Sequence, residues 1–79
     1  MSDYIMDING RIELGDYSSI YDYLNIVESD DNFIIKVHSN SQNNIMIIDS
    51  MLIKSNFIVN SKIYDSSGNC YITAKRMYS

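Results

Sequence analysis

A chain of 79 residues, 46% of them hydrophobic and 20% charged, with a mean hydropathy of −0.15, reads as one domain over residues 1–79, too apolar to stay disordered and too short for more than a small core. Cys70 is the only cysteine, which excludes an internal disulfide and a cysteine zinc cluster and makes the cytoplasm the expected compartment. A net charge of −4 and a pI near 4.5 argue against a general nucleic-acid binder, which needs a basic surface to displace counterions from phosphates.

The charge is uneven. Residues 1–50 hold nine acids against Arg11 and Lys36, a balance of −7, whereas residues 51–79 hold Lys54, Lys62, Lys75 and Arg76 against Asp65, a balance of +3. The longest apolar runs, Ile45 to Ile48 and Met51 to Ile53, fall far short of the roughly 20 residues of a membrane helix, and no basic, apolar signal segment opens the chain. No membrane association is expected.

Tyr4 to Ile8 is a short run of β type and the first predicted strand. From Ser18 to Glu28, Ile20, Tyr23, Leu24 and Val27 recur at helical intervals, with Asp16 or Ser18 as the predicted N-cap and Ser29-Asp30-Asp31 as the closing turn. Phe33 to His38 alternates as a second strand, with Phe33, Ile35 and Val37 on its apolar side. Ser41 to Asn56 is rich in β-branched residues of modest helix propensity, yet Ile45, Ile48, Met51, Leu52 and Ser55 keep helical spacing, which predicts a second helix. Phe57 to Asp65 and Cys70 to Met77 alternate on either side of Ser66-Ser67-Gly68-Asn69, a turn whose Gly and Asn can adopt positive φ.

The order β-α-β-α-β-β implies a parallel pair joined by a right-handed crossover, followed by an antiparallel hairpin. The expected fold is an α+β two-layer sandwich: a mixed four-stranded sheet with two helices on one face. One alternative stays open, because Asn9-Gly10 suits a type I′ turn and would fold Ile5–Ile8 and Arg11–Leu14 into a hairpin.

From Tyr4 to Arg76 the chain resembles the TusA/SirA/YedF family of small sulfur carriers, which share this element order at about this length. The first strand of that family ends in Asp-x-x-Gly-hydrophobic-x-Cys-Pro-x-Pro, and the segment from Met6 to Asp16 aligns with it without a gap. Asp7 and Gly10 match; Glu13 stands at the sulfur-carrying cysteine, and Leu14 and Asp16 replace the two prolines. Asn56 stands where a glycine is usual, and Asn40-Ser41 replaces an Asp-Pro after the second strand. A persulfide carrier needs a thiolate, stabilised at a helix N-terminus, that accepts and hands on sulfur. Glu13 has no sulfur to hold, so the resemblance implies the scaffold and its docking surface without the family chemistry, and no cofactor.

Among other candidates, Cys70 reads as a small buried residue of the last strand unless it is exposed and electropositive. His38 has no identifiable catalytic partner and reads as a surface histidine. The acids Asp30-Asp31 and Glu13–Asp16 lack the ligand density and glycine of a calcium loop and read as turns and caps. Seven tyrosines exceed what a small core can absorb. Tyr64 and Tyr71, with Lys62, Thr73 and Lys75, are expected on the helix-free sheet face, a docking surface for a protein partner or a second copy of the chain. The leading expectation is therefore a non-catalytic, TusA-like protein-binding domain. The alternatives are a sulfur carrier using Cys70 and a small acidic inhibitor from a phage or mobile element that covers a basic surface.

Overall fold

Alternating apolar residues give the sheet one buried side, to which the third strand adds only Phe57 as a fully buried residue, and two helical stripes cover that side. The computed structural model describes residues 3–9, 13–38 and 42–77, which form β1 (Asp3–Ile8), α1 (Leu14–Ile26), β2 (Asn32–Val37), α2 (Gln42–Lys54), β3 (Phe57–Tyr64) and β4 (Cys70–Arg76). The strands make one mixed sheet in the order β1-β2-β4-β3, with β1 parallel to β2 and β4 antiparallel to both β2 and β3. This is the expected β-α-β-α-β-β sandwich. Leu14 opens a helix and β1 pairs with β2, so the Asn9-Gly10 hairpin does not form through Leu14; Gly10, Arg11 and Ile12 lie outside the described residues.

The helix-covered side carries Met6, Ile8, Phe33, Ile35, Val37, Phe57, Cys70, Ile72 and Ala74, closed by Ile20, Leu24 and Val27 from the α1 side and Ile45, Ile48, Met51 and Leu52 from α2. Burying each large aliphatic side chain contributes about 1.5–3 kcal/mol, so this one cluster supplies most of the drive to fold. A ladder of rings, Tyr4 to Tyr23, Tyr23 to Phe33 and Phe33 to Phe57, crosses it with centroids 6.3, 5.4 and 6.3 Å apart. Tyr4, Tyr17 and Tyr23 are thus half absorbed by the core, while Tyr21 and Tyr64 are exposed and Tyr78 lies outside the described residues.

Helix α1 begins four residues before the predicted Ser18. Its N-cap is Glu13, and Asp16 is the N3 residue whose carboxylate accepts the Glu13 backbone N–H at 2.9 Å, one half of a capping box. The amphipathic signal missed this turn because Leu14 is 84% exposed and contributes nothing to the core. At the other end α1 has no basic residue of its own. The Arg76 guanidinium, reaching across from β4, donates through Nε to the Val27 carbonyl at 2.8 Å and through Nη2 to the Leu24 carbonyl, and lies 4.9 Å from the Phe57 ring centre. A distant strand therefore supplies the cation and the donors that the negative end of the helix lacks.

Two turns depend on single residues. At the end of α2, Asn56 adopts φ +64°, while its N–H bonds the Ile53 carbonyl and its carbonyl accepts from Met77 at 2.7 Å. In the β3–β4 turn Gly68 has φ +87°, and the Asp65 carboxylate accepts from the backbone N–H groups of Ser67 and Asn69, both at 2.9 Å, and from the Asn69 carboxamide at 3.1 Å. Of the two turn residues expected to allow positive φ, only Gly68 uses it. Among the described residues, no helix is long and apolar enough to cross a membrane.

Candidate protein-interaction face

The side of the sheet without helices is set by register. Asp3, Ile5 and Asp7 of β1 lie beside Asn32, Ile34 and Lys36 of β2; Ile34 and Lys36 lie beside Thr73 and Tyr71 of β4; and Thr73, Tyr71 and Lys75 lie beside Ser61, Ile63 and Ile58 of β3. These positions alternate with the buried ones and stay exposed or half-exposed.

Of the five residues expected on this face, Tyr71, Thr73 and Lys75 are there. Lys62 and Tyr64 are not. A bulge between Val59 and Ser61 inserts Asn60 into β3 and shifts the alternation by one residue, so Lys62 pairs across with buried Ile72 and Tyr64 with buried Cys70. Lys62 instead bonds Asp49 of α2, and that partner holds its ammonium above the ordinary lysine range. Sequence alternation alone could not locate this bulge. Ser61 and Ile63 occupy the face instead, beside Ile58.

The composition of the face is unusual for a solvated sheet, whose open positions ordinarily read polar. Ile5 and Ile63 are each 61% exposed and Ile58 is half-exposed, with Ile34 half-covered between the strands. The Lys36 ammonium sits 5.4 Å from the Tyr71 ring centre, a cation–π contact that holds the ring across the middle of the sheet. The Tyr71 hydroxyl donates to Asp65 at 3.3 Å. Acids stand at the β1 edge, where Asp3 accepts from the Asn32 carboxamide at 2.9 Å and Asp7 lies 3.5 Å from His38 Nε2. The His38–Asp7 pair is solvent-exposed and worth at most about 1 kcal/mol, which makes His38 a surface residue rather than part of a built acid–base pair.

The motif-equivalent positions do not converge on a reactive centre. Asp7 is on the open face, Gly10 is outside the described residues, and Glu13, Leu14 and Asp16 form the cap and first turn of α1. Cys70 has no exposed surface, and burial pushes its thiol above the ordinary cysteine range, outweighing the nearby Tyr64 hydroxyl and Lys62 ammonium. Asp31 is buried and accepts the Glu28 N–H at 3.0 Å, so this acid too serves local structure. Among the described residues, no group of three or more His, Cys, Asp or Glu side chains is placed to hold a metal.

No family model, curated protein or solved structure matches this chain.

Proposed function

We propose that this is a non-catalytic, TusA-like protein-binding domain of the cytoplasm that lacks the persulfide cysteine and docks a protein, or a second copy of itself, through its open sheet face. The observation that carries the reading is the exposure of Ile5, Ile58 and Ile63, with Ile34 half-covered between them, around Tyr71 and Lys36 on a face that a solvated sheet would furnish with polar side chains. Apolar residues and tyrosine rimmed by charge are the chemistry of protein interfaces.

Two features support the TusA-like part. Helix α1 starts at Leu14, so the aligned Cys-Pro-x-Pro would place its cysteine at the N-cap and its prolines at the first and third helical positions, where proline is tolerated. The left-handed conformation of Asn56 also accounts for a glycine at that position in the family, since glycine and asparagine are the residues that adopt it most readily. The other two readings gain no support. Cys70 is sealed, with its thiol pushed up, and three acids of the negative half, Asp16, Asp31 and Asp49, serve a cap, a turn and an ion pair.

The test compares the full chain with an Ile5→Lys/Ile63→Lys variant, both on exposed strand positions, in sedimentation over rising concentration and in affinity capture from extract of the source cells. The expected result is self-association, or one retained protein, that the variant loses. A wild-type chain that stays monomeric and retains nothing, or a variant that behaves as wild type, overturns the reading.

A further inference from the structure

The cations of the basic half of the chain have different fates. Lys62 is bonded to Asp49, Arg76 is committed to the Leu24 and Val27 carbonyls, and Lys54 is exposed at the end of α2. Lys75 is half-buried, and among the described residues no hydrogen bond or ion pair reaches its ammonium. It lines a cleft of about 470 Å³ where the end of β4 meets the turn between α1 and β2. That volume falls within the range of small-molecule sites.

We propose that this cleft binds a monocarboxylate carried on an apolar body. An ammonium that lines a cleft without a protein acceptor is placed to form a charge-assisted hydrogen bond with a bound anion. Lys75 and Arg76 set against Asp30 leave the lining with one net positive charge, which matches a carboxylate and falls short of a dianionic phosphate. The Ser29 hydroxyl and the carboxamide of Asn60, the extra residue of the β3 bulge, add donors beside Lys75. Ile58 and Met77, each close to half-exposed, are the apolar walls against which the rest of the ligand packs. The cleft shares Ile58 and Lys75 with the open sheet face, but its ligand class follows from its own lining and does not rest on the protein-docking reading.

A peptide C-terminus and a free organic acid share this chemistry. The full chain, labelled with ¹⁵N, is titrated at constant ionic strength with N-acetyl-leucine, with hexanoate, and with uncharged N-acetyl-leucinamide, and its amide resonances are followed. Saturable shifts of Ser29, Asn60, Lys75 and Met77 with the carboxylates and not with the amide are expected. A tighter response to N-acetyl-leucine assigns the site to peptide C-termini, and a tighter response to hexanoate assigns it to organic acids. Lys75→Met should weaken binding about tenfold, the loss of one charge-assisted hydrogen bond, whereas Lys75→Arg should retain it. Resonance dispersion shows that both variants are folded. Shifts that do not saturate, equal shifts with the amide, or unchanged binding by a folded Lys75→Met overturn the proposal.

Discussion

Replacing Arg76 by methionine tests the least local interaction of the fold. Methionine keeps an unbranched apolar stem against Phe57 but removes both donors to α1 and the cation over the ring. Each hydrogen bond from a charged donor is worth about 1.5–3 kcal/mol net, and a partly exposed cation–π contact about 0.5–1 kcal/mol. Arg76 is only half-buried, so water can reach the freed Leu24 and Val27 carbonyls and recover part of that loss. The expected cost of Arg76→Met is about 3 kcal/mol, a large share of the roughly 4–12 kcal/mol available to a domain of this length. It corresponds to a fall in Tm of about 12 °C or more. Lysine restores a positive charge near the helix end but not the planar fork, and should recover about 1 kcal/mol. Urea unfolding followed by far-UV circular dichroism measures all three proteins. A methionine variant within about 1 kcal/mol of wild type, or a lysine variant equal to arginine, would refute the claim that Arg76 serves as the cap of α1.

Three further outcomes follow from single residues. Asn56→Gly should match or slightly exceed wild-type stability, whereas Asn56→Ala should cost about 1 kcal/mol because alanine resists positive φ; equal urea midpoints for the two variants would contradict the left-handed geometry. Native Cys70 should react with a thiol reagent far more slowly than Cys70 in urea at neutral pH, since its surface is closed and its pKa is raised; equal rates would reopen the sulfur-carrier alternative. Asp65 is held below its ordinary pKa of 3.8, chiefly by the Asn69 N–H, so its carboxylate adds stability that is fully present above that value and lost as pH falls through its lower folded value. The advantage of wild type over Asp65→Asn in urea unfolding should therefore hold steady at neutral pH and shrink below about pH 4; a difference that does not vary with pH would contradict it.

Much of the fold was legible because it rests on local periodicity. The alternation of Phe33, Ile35 and Val37 and the spacing of Ile45, Ile48 and Met51 describe their own buried sides, and the turn around Gly68 carries its own chemistry. What stayed hidden depends on partners distant in sequence or on a break in period. Leu14 projects into solvent, so the first turn of α1 left no hydrophobic signature; its signal was Glu13 with Asp16 three residues on, a capping pair in which glutamate replaces the usual Ser or Thr. The bulge at Asn60 reverses the sides of Lys62 and Tyr64 without any glycine or proline to mark it. Ile63, between Lys62 and Tyr64, was thereby missed as a member of the open face, whereas Ile58, which precedes the bulge, keeps the side that simple alternation gives it.

The start of α1 shows how a helix N-terminus is satisfied by carboxylate chemistry alone. A helix N-terminus is an anion seat, because unpaired N–H groups and the positive end of the dipole converge there. In a persulfide carrier that seat would favour the thiolate. Here Asp16 carries the negative charge in the first turn, and its carboxylate satisfies the N–H of Glu13. The same electrostatic need is met from within the chain by groups that cannot carry sulfur. The helix is therefore anchored by its own cap, with no thiol at this end. Function is then expected on surfaces that this end of the molecule does not control, the open sheet face and the cleft beside Lys75, and substitutions at Glu13 should change the stability of α1 without altering binding at either.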